Sequence, residues 1–182
     1  HLEVIGGHPL RGGLKVSGAK NSSLALMAAS LLTKEKLLIK NVPQLTDIEV
    51  MSEILRNLGA KLTKTNNSIE INSKSIHNVE LPYKLVHRLR ASFFCVGPLL
   101  TRLGKAKIPL PGGCNIGARP VDEHINGLKA LGAEVEVIND VVKAQVSTKD
   151  KRLRGANITL KYPSVGATET ILMASCLALG KT

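Results

Sequence analysis

The sequence predicts an α/β protein built from repeated helix–strand–helix–strand–strand units, and three observations carry that expectation. Landmarks recur: AASLLT at 28–33 is echoed by VGPLLT at 96–101 and by MASCLA at 173–178, and LGA at 58–60 returns at 131–133. Within each copy the apolar spacing alternates between helical and strand periods. Hydrophobic residues make up 43% of the 182, enough for a substantial core. Units that cannot bury an apolar face singly pack together, with helices inside and sheets outside or in layers.

Residues 14–17 read as a short strand that leads into the first helix. There Leu24, Met27, Ala28 and Leu31 follow i, i+3, i+4, i+7 behind the capping candidates Asn21, Ser22 and Ser23. Residues 37–39 read as a short buried strand. Thr46 and Glu49 have capping-box spacing, and behind them Ile48, Met51, Leu55 and Leu58 form a stripe that stops at Gly59. Residues 61–65 and 68–72 then form a hairpin through Asn66 and Asn67. The second copy repeats the order, with Val121, Ile125, Leu128 and Leu131 on a helix ended by Gly132 and strands near 134–138 and 142–146. A third copy opens near Gly166 and runs to Gly180, which reads as a helix C-cap. The expected division is a strand segment 1–18 that belongs with an absent second domain and is loosely held here, copies over about 19–85 and 86–160, and an incomplete third over 161–182, as in a piece of something longer.

The first landmark shifts by 68 residues between copies and the second by 73, so the second copy carries about five extra residues. They fall around LPGGCNIGARP at 110–120, a glycine-rich loop holding Cys114 and Arg119. Its glycines allow close backbone approach to a ligand. An arginine and a helix start at Pro120 would lower the thiol pKa or bind an anion. The competing reading is Cys114 as small filler in a turn. Cys95 and Cys176, in apolar helical stretches, read as core. Three cysteines are an odd number in a chain of this size, which points to reduced thiols, and no CxxC pair or histidine cluster points to a metal. No apolar run is long enough to cross a bilayer and no leader pattern opens the chain, so a cytoplasmic protein without membrane partners is expected.

Lysine and arginine number 25 against 14 aspartates and glutamates, for a net charge of +11, so the surface attracts anions. Aromatics are 2% with no tryptophan, which disfavours stacking on single-stranded nucleic acid. Most of the scattered cations read as solvated surface. Two do not. Lys20 with Asn21, in GAKN, stands at one helix entrance, and Arg90, in LRAS, stands at the matching entrance of the second copy. The stretch Tyr162, Pro163, Ser164, Val165, Gly166 opens the third helix in the same way, with the Ser164 hydroxyl and free amides as donors.

These motifs, SGAKN at 17–21, LRAS at 89–92, LPGGCNIGARPVD at 110–122 and SVGATE at 164–169, closely resemble in order and spacing the bacterial UDP-N-acetylglucosamine 1-carboxyvinyltransferase family. The resemblance covers the whole chain but only the first part, under half, of that family's length. It implies an inside-out α/β barrel-like domain of βαβαββ units about a pseudo-threefold axis, here about two and a half repeats, as in the related EPSP synthases. It also implies enolpyruvyl transfer from phosphoenolpyruvate to the 3-hydroxyl of UDP-N-acetylglucosamine, with no cofactor and no nucleic acid partner. Lys20 would hold phosphoenolpyruvate and Asn21 the intermediate. Arg90 and Arg119 would neutralise phosphate charge, and Cys114 would act as general acid or form a covalent adduct. Pro120, Val121, Asp122 and Glu123 would lie along the nucleotide, with Tyr162 to Gly166. Two residues depart from the family pattern: Glu123 stands where an apolar residue is familiar, and Tyr162 where a lysine occurs. The family's base for the sugar hydroxyl lies outside these residues, so this stretch alone is expected to be inactive. The sister reaction on shikimate 3-phosphate and a non-catalytic anion or nucleic-acid binding module are the alternatives.

Overall fold

The computed structural model describes residues 2–111 and 120–182. The first copy runs α1 (Lys20–Ala29), a 3-10 turn (Ser30–Leu32), β1 (Lys36–Lys40), α2 (Thr46–Asn57), β2 (Lys61–Thr65) and β3 (Ser68–Asn72). The second runs α3 (Tyr83–Arg88), a 3-10 segment (Arg90–Cys95), α4 (Val96–Leu103), β4 (Lys105–Pro109), α5 (Asp122–Ala130), β5 (Glu134–Ile138) and β6 (Val141–Gln145). The third contributes α6 (Val165–Ser175). Each copy folds its strands into a three-stranded antiparallel sheet with its last strand central, in the orders β1-β3-β2 and β4-β6-β5. The helix–strand–helix–strand–strand reading and the hairpin over 61–72 are therefore observed.

Helix α4 packs on α6 and on the 3-10 turn that follows α1, while α1 packs on α2 and on the 3-10 segment before α4; the sheets lie outside, with Ile69, Ile71, Ile108 and Val142 of their inner faces buried. Helices α2 and α5 both end at a glycine with positive φ, Gly59 at +101° and Gly132 at +87°. The following alanine amide reaches back to the helix in the same way in each copy, Ala60 to the Leu55 carbonyl and Ala133 to that of Leu128, both at 3.0 Å. Only glycine adopts that turn without strain.

Several local expectations are corrected. Residues 14–17 form no strand: residues 2–17 are all exposed, and no strand among the described residues pairs with them. Helix α1 is capped before the proposed residues, by Ala19, and Ser23 lies inside it with its hydroxyl donating back to the Ala19 carbonyl at 2.9 Å. Leu45, not Thr46, caps α2, and the capping-box glutamate Glu49 instead pairs with Lys64 of β2. Strand β1 is a sheet edge rather than a buried strand, with Leu38 57% exposed. Helix α6 stops at Ser175, short of Gly180, and leaves Leu172, Cys176 and Leu177 exposed, so Cys176 is not core. Cys95 is buried as expected.

Two helical glycines let α6 sit against its neighbours. A Cβ on Gly97 of α4 would lie 2.6 Å from the Thr170 carbonyl oxygen, whereas one on Gly127 of α5 would meet the tip of the Ile171 side chain at 2.1 Å. Replacing a helical glycine by alanine gains about 1 kcal/mol of propensity. At Gly97 the clash is with backbone, so Gly97→Ala should lose about 1–3 kcal/mol net in denaturant unfolding. At Gly127 the isoleucine can turn away, and Gly127→Ala should fall within about 1 kcal/mol of the parent. The reverse ranking would contradict this account of how α6 is seated.

Candidate functional site

A cavity of about 650 Å³ opens where the entrances of all three copies' helices converge. From the first copy come Lys20 and Asn21, the first two residues of α1. The Lys20 ammonium pairs with Asp47, in the first turn of α2, at 2.8 Å. That carboxylate holds the lysine in one direction and stays solvated itself, so the pair directs the charge and adds little stability. The second copy supplies Arg88, Arg90 and Phe93, together with Pro120, Val121 and His124 around the start of α5. The third supplies Tyr162, Ser164, Val165, Gly166 and Glu169. Ser164 caps α6, its hydroxyl accepting from the Ala167 amide at 3.3 Å, and with Val165 and Gly166 it sets the N-terminal end of an eleven-residue helix on the cavity wall.

Of the residues singled out in the sequence, the structure brings Lys20, Asn21, Arg90, Pro120, Val121, Tyr162, Ser164, Val165 and Gly166 onto one cavity. Cys114 and Arg119 lie outside the described residues. Asp122, Glu123 and Pro163 are near the cavity but not on its wall. Asp122 instead accepts a hydrogen bond from the Tyr162 hydroxyl at 2.5 Å. That bond, first among the causes, holds the Asp122 carboxyl below its usual range and pushes the Tyr162 phenol up to about 12. Glu123 is only 2% exposed and turned away from the cavity. It accepts from the Asn126 side chain at 3.0 Å and the Lys161 amide at 2.7 Å. Both of its carboxylate oxygens are thus engaged within the protein, away from the cavity wall.

Sequence reasoning missed Asp47, Arg88 and His124. The signal for His124 was its place, three residues after Val121 on the apolar stripe of α5. It is 6% exposed, its ring packs edge-on against Phe93 with centroids 5.0 Å apart, and its Nδ1 has no hydrogen-bond partner among the described residues. Burial, then the Arg90 charge, lowers its pKa from 6.5 to about 4, against the opposing pull of Asp122 and Glu123. The imidazole is thus neutral at physiological pH. Cys95, by contrast, is pushed up to about 12 by burial and is chemically inert.

Between pH 6.5 and about 4 the unfolded chain takes up a proton at His124 that the folded chain refuses. This contribution to stability is full above pH 6.5 and is lost as pH falls through that window. The drop in unfolding free energy from about pH 7 to about pH 4.5 should accordingly be smaller in His124→Phe than in the parent, by at most about 3 kcal/mol. Equal drops in the two proteins would contradict the assignment.

A family model described as EPSP synthase (3-phosphoshikimate 1-carboxyvinyltransferase) matches residues 4–182. The chain is 93% identical over 182 residues to a UDP-N-acetylglucosamine 1-carboxyvinyltransferase of Prochlorococcus marinus strain NATL2A, and 59% identical to that of strain MIT 9301. Each match takes in all of this chain and 40% of the relative, so the chain spans well under half the length of these proteins. In fold it is similar to the enolpyruvyl transferase NikO from Streptomyces tendae, with a TM-score of 0.77 at 22% identity over 96% of this chain and 40% of that one. It is also similar to EPSP synthase from Acinetobacter baumannii, with a TM-score of 0.69 at 16% identity over 92% and 38% of the two chains. The inside-out α/β architecture that the sequence implied is the one these structures share, and the chain belongs to the EPSP synthase (3-phosphoshikimate 1-carboxyvinyltransferase) family.

Proposed function

We propose that this chain forms one wall of the site at which the enolpyruvyl group passes from phosphoenolpyruvate to the 3-hydroxyl of UDP-N-acetylglucosamine, a step of peptidoglycan synthesis. The observation that carries the reading is the convergence of Lys20, Arg88, Arg90 and the amide end of α6 on one cavity. Three cations and a helix N-terminus match substrates that bring a phosphate, a carboxylate and a diphosphate. The names of the 93% and 59% identical relatives support this acceptor over shikimate 3-phosphate, since the EPSP synthase structure is only 16% identical.

In this reading Lys20, aimed by Asp47, holds the phosphoenolpyruvate anion, and Asn21 holds the intermediate. Arg90 and Arg119 balance phosphate charge in a site where few waters compete. Cys114 gives a proton to the methylene carbon while the sugar oxygen bonds to the neighbouring carbon and loses its own proton to a base outside these residues. The resulting tetrahedral ketal then breaks its bond to phosphate and releases a proton from the methyl group, restoring the double bond. Pro120, Val121, Tyr162, Ser164, Val165 and Gly166 line the nucleotide side, while Asp122 takes part through Tyr162. The partners are small molecules, and the setting is the cytoplasm.

Calorimetry on the 182-residue chain tests the binding half of this proposal. UDP-N-acetylglucosamine should bind, Arg90→Ala should weaken it at least about tenfold, and a DNA duplex should show no comparable affinity at physiological salt. Tight duplex binding with a steep salt dependence and no sugar-nucleotide binding would overturn the proposal in favour of a nucleic-acid module.

A further inference from the structure

Three consecutive residues at the start of α5 each grip a different point on the segment that leads into α6. Asp122 accepts from the Tyr162 hydroxyl, Glu123 accepts from the Lys161 backbone amide at 2.7 Å, and the His124 ring lies against Gly166, where an added Cβ would stand 3.1 Å from its Nε2. One turn further along the two helices, Gly127 and Ile171 continue the same contact. We propose that residues 122–124 are a three-point clamp that sets the cavity wall 161–166 in place, and that Glu123 is its positioning residue, without ligand contact of its own. This deepens the reading above, since the clamped segment is the wall proposed for the nucleotide.

The chemistry of Glu123 fits a tether. A carboxylate only 2% exposed is costly unless its oxygens are satisfied. Here one oxygen takes the Lys161 amide, the other takes Asn126, and the residue sits in the first turn of α5, where the helix dipole favours negative charge. The bond to Lys161 spans 38 residues and joins a backbone group of the third copy to a side chain of the second. A short charge-assisted bond to main chain fixes the path of the segment in a way that packing alone does not. The Tyr162 bond fixes the next residue, and the His124 contact fixes the first turn of α6, where the donor amides lie. A displacement of the strap would move Ser164 and those amides away from where the ligand charge sits, and geometric losses of that kind weaken binding without removing any contacting group.

Hydrogen exchange on the ligand-free chain, read together with UDP-N-acetylglucosamine affinity, tests the clamp. Glu123→Ala should speed exchange of the amides at 161–167 at least about tenfold while the 61–72 hairpin keeps its protection, and affinity should fall about tenfold. Glu123→Gln, which keeps an acceptor for the Lys161 amide, should restore both to within about threefold of the parent. Unchanged exchange at 161–167 in Glu123→Ala, or an equal rise in every segment, would overturn the proposal, as would Glu123→Gln behaving like Glu123→Ala. Absence of sugar-nucleotide binding by the parent chain would count against the proposed function alone, because the exchange result decides the clamp without ligand.

Discussion

The seating of α6 between α4 and α5 is the constraint on which the site depends. This helix is the only one of the third copy among the described residues, and its cap Ser164 reaches the cavity because Gly97 and Gly127 leave room for its backbone and for Ile171. Close approach through a missing Cβ is a steric requirement, stricter than general hydrophobic packing. The Arg102 guanidinium serves a similar purpose between the first two copies. From the end of α4 it donates to the carbonyls of Leu31, Thr33 and Ser73, at 2.7, 2.8 and 2.8 Å, closing the open end of the first copy's helix and the exit of its last strand. Three copies, none able to bury its apolar face alone, thus become one arrangement with their helix entrances on one side.

That arrangement accounts for the electrostatics of the cavity. Helix starts carry unpaired amides, and each copy adds a residue suited to anions: Lys20, Arg90 and the hydroxyl of Ser164. Two of the neighbouring acidic groups are engaged with donors, Asp47 with Lys20 and Asp122 with Tyr162, while Glu169 also stands on the cavity wall. His124, kept neutral beside Arg90, adds shape to the wall without adding repulsion to the arginine.

The sequence made the local elements legible and the contacts between copies largely opaque. The hairpin over 61–72 and the glycine ends of α2 and α5 follow from residues next to one another in the chain, and both were read with nearly correct limits. The capping box at Thr46 is absent because Leu45 takes the cap position, and Glu49 pairs with Lys64, fifteen residues further on. Arg102 passed for a solvated cation, since nothing in its neighbourhood announces three carbonyls from another copy. Glu123 shows the same limit at the site. Its position in a recognisable motif placed it along a nucleotide, whereas its partners, Asn126 and Lys161, are visible only once the chain is folded. Most of the residues that the resemblance singled out and the structure describes share one cavity, and only the fold distinguishes those that face it from those that sit behind its wall.

The central claim is that the cavity at the three helix entrances is where an anionic sugar nucleotide binds, and amide chemical shifts during titration with UDP-N-acetylglucosamine test it most directly. The account predicts that shift changes gather on residues 20–24, 88–94, 120–124 and 162–169, around the cavity. Changes gathered instead on the outer groove of the second sheet, about 280 Å³ beside Lys105, Lys107 and Lys143, would contradict it.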